Sequence, residues 1–393
     1  MNNSERRVRT MIIKKINGKL DPLYIKYNLN DISKKSLLGK GTFSHVYKTY
    51  NSDSLIYCAI KILKTKHQHY SKQEIYYLTK LGIHENIIQL LDYFNFKSQI
   101  CMIYPLYNCN LYQLLSKKHK LFKKKYIPIN RCGLKIQTIK KLILDILTAL
   151  QYIKTHNIVH ADLKPENILI DRDDSQTEIR FILCDFGSAC NGNSKIIGYN
   201  QSRFYRAPET ILRENCSYEI DMWSMGCILY EVLFNCVLFR GKNELEQLHK
   251  IARKRGMFTT EYINKINCRK RTIYFVPVSS HINGISTNTY ILKSIYSRSV
   301  IKLDNFWGTS DNKVSEDITR NIMEKNKVTL IDENAIADFI DLILDMTEYE
   351  VHNRITPSGG LVHRFMMDDT YDVEMDRQLI YDDICNILDY SIY

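Results

Sequence analysis

The sequence holds no C-x-x-C pair, although it carries 11 cysteines. That absence removes the usual zinc spacing and the thioredoxin-type redox pair. The odd count also argues against a complete disulfide framework, so a reducing, intracellular setting (nucleus, cytoplasm or both) is expected. Long apolar runs are missing too. The apolar runs are short or interrupted by charge, as in IKKLILDILTALQYI, and no segment is expected to cross a bilayer. The first residues, MNNSERRVRTMIIKKI, lack the apolar stretch of a secretory leader, and no internal repeat is visible. A soluble chain without membrane contact is the expectation.

What is there is an ordinary globular balance over 393 residues, 45% hydrophobic and 25% charged, which excludes disorder as the dominant state. The length leaves room for two or three domains or lobes. A formal charge of +12 speaks of partners and not of fold. Acidic proteins, nucleic-acid assemblies and anionic surfaces all remain open. The basic runs are Arg6, Arg7 and Arg9, then Lys117 to Lys125, Arg253-Lys254-Arg255 and Arg269-Lys270-Arg271. They read as solvated faces, with nuclear import or weak nucleic-acid binding as the alternative; nucleic acid is not required.

Patterning divides the chain into a basic lead-in over 1–32, loosely packed or flexible, and a small strand-rich unit over 33–103. A joint at 104–110 precedes a larger helical unit over 111–365 and an acidic tail over 366–393. In the small unit, SLLGKGTFSHVYKTY reads as two strands around a glycine turn, LIYCAIKIL as a third, and IIQLLDYF and ICMIY as two more. QEIYYLTKL switches to helical spacing, with Ile75, Leu78 and Leu81 on one face. In the larger unit, Ile139, Leu142, Ile146, Leu150 and Ile153 recur at helical steps, and IDMWSMGCILYEVLF and AIADFIDLILDM read as further helices. The fold class is α+β. The tail carries Asp368, Asp369, Asp372, Glu374, Asp376, Asp382 and Asp383, with Ile380, Ile384, Ile387 and Leu388 at helical spacing. It either packs back on the basic body or presents a partner-binding helix.

Four separated motifs carry chemistry. Gly39-Lys40-Gly41-Thr42-Phe43-Ser44-His45-Val46 lies in a strand–turn–strand, where glycines at positive φ can turn amide N–H groups toward an anion; a tight hairpin explains them equally. Lys61 ends an apolar strand and needs a counter-charge, which Glu74 on the following helix can supply. In His160-Ala161-Asp162-Leu163-Lys164-Pro165-Glu166-Asn167, the proline forces a loop. There Asp162 can accept or orient a hydroxyl proton, Lys164 can neutralise a moving anion, and Asn167 offers an amide oxygen to a hard cation. His160 reads as a packing residue. Asp185-Phe186-Gly187 puts a carboxylate at a strand end, suited to the same cation. Farther on, Glu209 of Ala207-Pro208-Glu209 would need a cation in the larger unit, and Arg354 is the candidate.

Together these motifs resemble the eukaryotic protein kinases over about Leu37 to Phe365. QSRFYRAPE, HADLKPENILI and DFGSA are similar to the CMGC group, and within it to the dual-specificity tyrosine-regulated kinases. Homeodomain-interacting and splicing-factor kinases are near relatives. The resemblance implies a bilobal fold, an insert near 257–335, and transfer of the ATP γ-phosphate to serine or threonine of protein substrates. It implies ATP bound by the 39–46 loop, Ala59, Lys61 and Glu74, with Tyr104 as gatekeeper and Pro105 and Tyr107 as adenine contacts. Asn167 and Asp185 are the implied Mg²⁺ ligands, and Asp162 and Lys164 the catalytic pair. Tyr199 stands where these relatives autophosphorylate, with Arg203 and Arg206 near enough in sequence to pair with a phosphate. An unmodified structural tyrosine is the alternative. Two positions depart from the pattern: Ser44 replaces the third glycine, and Ala161 replaces the arginine that reads out a phosphorylated loop. A splicing-factor-type kinase is the runner-up, and a kinase-fold scaffold without chemistry is a third reading.

Overall fold

The computed structural model describes residues 26–27, 34–41, 44–96, 98–124, 133–192, 201–212, 217–282, 285–293, 333–367 and 377–389. Thr42, Phe43, Tyr199, residues 294–332 of the insert, most of the lead-in and 368–376 of the tail lie outside them. Two compact units result: Met1–Asn108 with Cys184–Gly187, and Cys109–Leu183 with Ser188–Tyr393.

In the first unit, β1 (Leu37–Lys40), β2 (Ser44–Asn51), β3 (Ile56–Leu63), α1 (Gln68–Leu81), β4 (Asp92–Phe96) and β5 (Gln99–Pro105) follow one another. Their antiparallel sheet has the order β1-β2-β3-β5-β4. Strand alternation sorts its two faces. Cys58, Ile60, Cys101 and Ile103 share one face with Phe94 and form a core. Ala59 and Lys61 point the other way, in register with Tyr104 and Met102. The strand expected over IIQLLDYF begins only at Asp92; Ile87 and Ile88 are buried ahead of it, outside the ladder. On α1 the buried positions are Ser71, Glu74, Leu78 and Leu81, so the inward stripe carries a charge, and Ile75 is only half-buried.

One lead-in residue is not loose. Tyr27 is 1% exposed, stacks on Phe94 with centroids 5.7 Å apart, and donates its hydroxyl to Asp92 at 2.8 Å. Its carbonyl accepts from Thr49 Oγ1 at 2.7 Å. Nothing in the local spacing of the lead-in marks Tyr27 as core, so only tertiary contacts reveal it.

The second unit opens with β6 (Cys109–Asn110), α2 (Leu111–Lys124) and α3 (Ile136–Thr155). Short strands β7 (Ile158–Val159), β8 (Ile168–Asp173), β9 (Glu178–Leu183) and β10 (Cys190–Asn191) frame the loops that hold the motifs. Strands β6, β8 and β9 form one sheet and β7 pairs with β10. Helices α4 (Pro208–Leu212), α5 (Glu219–Phe234), α6 (Glu244–Arg255), α7 (Thr260–Lys265) and α8 (Cys268–Tyr274) follow. The insert region contains a hairpin, β11 (Phe275–Ile282) with β12 (Ile285–Leu292). Helices α9 (Glu333–Met346), α10 (Pro357–Leu361) and α11 (Arg377–Leu388) complete the unit.

Helix α3 buries Ile139, Leu142, Ile146, Leu150 and Ile153, the residues its spacing predicts. Helix α5 is buried on every side from Ile220 onward. Its Gly226 permits close approach to α9, since a Cβ there would come within 2.8 Å of Thr347 and 2.9 Å of Met346. The run Arg253-Lys254-Arg255 is not simply a solvated face. Arg255 donates to the carbonyls of Thr347 and Leu344 at 3.1 and 3.2 Å, and Lys254 lies over the Tyr230 ring. Helix α11 packs against α2, α3 and β9.

Candidate active site

In the first unit, strand alternation aims Lys61 away from the sheet core and toward α1. Its Nζ lies 2.7 Å from Glu74 Oε2 and 2.8 Å from Asp185 Oδ1. The other Glu74 oxygen accepts the Tyr104 hydroxyl at 2.9 Å. Burial works against the charged lysine, but the Asp185 and Glu74 carboxylates outweigh it and hold its pKa above the ordinary value. For Glu74, burial pushes the pKa up, and the Lys61 charge only partly offsets it. Asp185 stands at φ +67°, a left-handed conformation unusual for a non-glycine residue. Beside it, a Cβ on Gly187 would come within 3.3 Å of Asp185 Oδ1, so glycine leaves the carboxylate room.

The glycine loop differs from its expected form. Among the described glycines only Gly82 and Gly256 take positive φ, so Gly39 and Gly41 do not. Gly39 continues the extended pairing with Val46, and Lys40 pairs with His45. The benefit of glycine here is space: a Cβ on Gly39 would meet nothing within 4 Å. The loop is electropositive. Slight burial and the ammonium groups of Lys64 and Lys40 hold the His45 pKa below its usual value. Lys64, which reaches the Gly41 carbonyl at 3.5 Å, is absent from the motif reading. Ser44 opens β2, and Ala59 is buried opposite Tyr104. Pro105 closes β5, and Tyr107 follows it, half-buried.

In the second unit, the loop after β7 carries Asp162, Lys164 and Asn167. Asp162 is fixed by several donors: Ser202 Oγ to Oδ1 at 2.9 Å, Lys164 Nζ to Oδ2 at 2.6 Å, and Asn167 Nδ2 to Oδ2 at 3.4 Å. Lys164 also donates to Ser202 at 3.1 Å, closing a triangle. Asn167 spends its amide N–H on the Asp162 carbonyl at 2.8 Å. Its Oδ1 therefore receives no donor among the described residues.

The loop backbone is itself anchored. Asp221, buried in α5, accepts the amides of His160 at 2.7 Å and Ala161 at 2.9 Å. Ala161 takes φ +61°, and its carbonyl accepts the Gln201 amide at 2.9 Å. Gln201 then bonds Ile220, Ser224, Ala207 and Thr210 through its side chain. Ser202, Asp221 and Gln201 were not singled out from sequence. An aspartate in the first turn of a largely apolar helix is the available sequence signal for Asp221.

Arg206 is 1% exposed and committed to the Gln201 carbonyl at 2.7 Å and to Glu244 at 3.3 Å. Arg203 donates to the Lys242 carbonyl at 2.6 Å. Both arginines thus serve the local fold in this conformation, and Tyr199 lies outside the described residues. Glu209 and Arg354, both fully buried, meet at 2.6 Å, and Arg354 also binds the carbonyls of Glu219 and Glu348. Near Asp162, a cavity of about 570 Å³ is lined by Lys164, Glu166, Ser202, Arg203, Glu231 and Arg240 among others. Tyr205 donates to Glu231 at 2.7 Å, and burial, with Glu166 nearby, pushes the Glu231 carboxyl up to about 7.

Residues 32–366 match the family described as the protein kinase domain. This chain belongs to the protein kinase family. The family generally uses ATP and Mg²⁺. The chain is 33% identical over 348 residues to homeodomain-interacting protein kinase 1 of Caenorhabditis elegans, covering 84% of this chain and 39% of that protein. It is 35% identical over 263 residues to dual specificity tyrosine-phosphorylation-regulated kinase 2 of Drosophila melanogaster, covering 65% and 33%. The aligned part is thus between a third and two fifths of these two relatives. The similarity to tyrosine-regulated and homeodomain-interacting kinases places the domain in the CMGC group of the family.

Proposed function

We propose that this chain is a protein serine/threonine kinase of the dual-specificity tyrosine-regulated type, acting inside the cell on protein hydroxyls. The observation that carries the reading is Lys61 held between Glu74 and Asp185 at 2.7 and 2.8 Å. A charge pinned this way is oriented for the α- and β-phosphates, while the open space over Gly39 and the cations Lys40 and Lys64 suit the rest of the triphosphate.

The residues fit Mg²⁺ as well. In the second unit Asn167 keeps an amide oxygen that receives no donor among the described residues, and in the first the Asp185 side chain is 40% exposed; each offers a hard oxygen. When bound, Mg²⁺ neutralises phosphate charge. Asp162, held by Ser202, Lys164 and Asn167, orients the acceptor hydroxyl and receives its proton. Lys164 offsets the charge of the phosphoryl group in transit. Autophosphorylation of Tyr199 and recognition of protein substrates near Glu166 and Glu231 complete the proposal. Free thiols at every described cysteine support a reducing location.

The test is transfer of radiolabel from ATP to a generic basic protein. Transfer by the wild type, its loss in Lys61→Met, and a sharp fall in turnover with retained nucleotide binding in Asp162→Asn are expected. Nucleotide binding without transfer in the wild type would point to a scaffold instead. Full activity of freshly synthesised Tyr199→Phe would remove the autoactivation step.

A further inference from the structure

The Tyr104 hydroxyl is not needed for packing. Phenylalanine would fill the same space at the end of β5, yet a tyrosine stands there, 3% exposed, with its oxygen 2.9 Å from Glu74 Oε1. Glu74 is itself 1% exposed. A buried carboxylate has two oxygens to satisfy, and Lys61 takes only Oε2. Tyr104 is the donor to the other. Burial and the Glu74 charge push the phenol pKa well above its ordinary value, so it remains a donor at any working pH.

The geometry gives this bond leverage. Ala59 is in register with Tyr104 and Lys61 with Met102, so Lys61 and Tyr104 are diagonal neighbours on one sheet face. Two strands therefore grip one helix through a single carboxylate. The apolar hold on that helix is thin: its buried residues are Ser71, Glu74, Leu78 and Leu81, and Ser71 Oγ has no partner among the described residues. If α1 turned away, the Tyr104 hydroxyl would keep only the Met102 sulfur at 3.4 Å, a weak acceptor.

We infer that Tyr104 is a positioning residue, whose hydroxyl locks α1 against the sheet and presents Glu74 to Lys61, so that the ion pair is assembled within the first unit itself. This rests on the proposed kinase reading, in which Lys61 orients ATP. Glu74 is faced by Lys61 from β3, Tyr104 from β5 and the Asp185 charge from the turn after β9.

The test compares wild type, Tyr104→Phe, Glu74→Leu and the double variant in the full chain. A fluorescent ATP analogue with Mg²⁺ reports binding, steady-state transfer gives kcat and KM, and amide exchange reports α1. Tyr104→Phe is expected to lower kcat/KM for ATP roughly tenfold, the scale of a hydrogen bond to a charged group, and to speed exchange over 68–81 without changing it in α5. In the Glu74→Leu background the same substitution should change binding less than about twofold, because the acceptor is gone. Equal losses in both backgrounds would mean packing alone and would overturn the inference. Unchanged exchange in α1 would overturn it too, and that readout stands even if Glu74→Leu binds no nucleotide. A wild type without ATP binding would refute the kinase reading, while exchange would still decide the role of Tyr104.

Discussion

A buried acid such as Glu231 makes stability depend on pH in an uncommon direction. Its carboxyl is moved from near 4.5 to about 7, chiefly by burial. The folded chain then holds a proton that the unfolded chain has released across that window, so stability falls as pH rises through it. Below the unfolded value the contribution is fully present. Wild type should lose up to roughly 3 kcal/mol relative to Glu231→Gln between about pH 5 and about pH 8, read from urea midpoints at each pH. A flat difference would mean that Glu231 titrates normally. The buried Glu209–Arg354 pair gives a second residue-scale expectation. Arg354→Met leaves a carboxylate alone and should cost about 3–5 kcal/mol, whereas adding Glu209→Leu should recover much of it. Denaturant curves of the single and double variants check this.

At the scale of elements, α11 shows how distant segments complete one another. Helix α3 starts at Ile136 behind Lys135, which has no capping side chain. Asp383 of α11 takes that role: its Oδ2 accepts the Lys135 amide and the Thr138 hydroxyl, each at 2.9 Å. Arg172 also reaches Asp389 at 2.8 Å. Of the two readings of the tail, packing back describes the 377–389 segment. The match to the family ends at residue 366, so this helix lies beyond the matched domain. Asp383→Ala should cost about 1–2 kcal/mol by loss of a cap, and protease should then cut the tail faster. An unchanged urea midpoint would show that Asp383 is not the effective cap.

For the molecule as a whole, ligand binding should appear as stability. MgATP at about 100 times its dissociation constant would add roughly 2.7 kcal/mol, visible as a higher thermal midpoint. Lys61→Met should abolish that rise and, by leaving the buried Glu74 carboxylate without its cation, lower the midpoint without nucleotide as well. A rise that survives in Lys61→Met would place nucleotide binding elsewhere.

Sequence alone determined the α+β class, the long helices α3 and α5, and the positions of Lys61, Asp162, Asn167 and Asp185, because periodicity and motif spacing are local properties of a chain. Tertiary structure decided what no spacing encodes. It buried Tyr27 in the sheet core, bound the Tyr104 hydroxyl to Glu74, set Ser202 on Asp162, and left Gly39 extended with room above it. Each of these depends on which strand or loop becomes a neighbour. Long-range contacts make that choice, since a buried polar atom takes the partner that packing brings within hydrogen-bond reach.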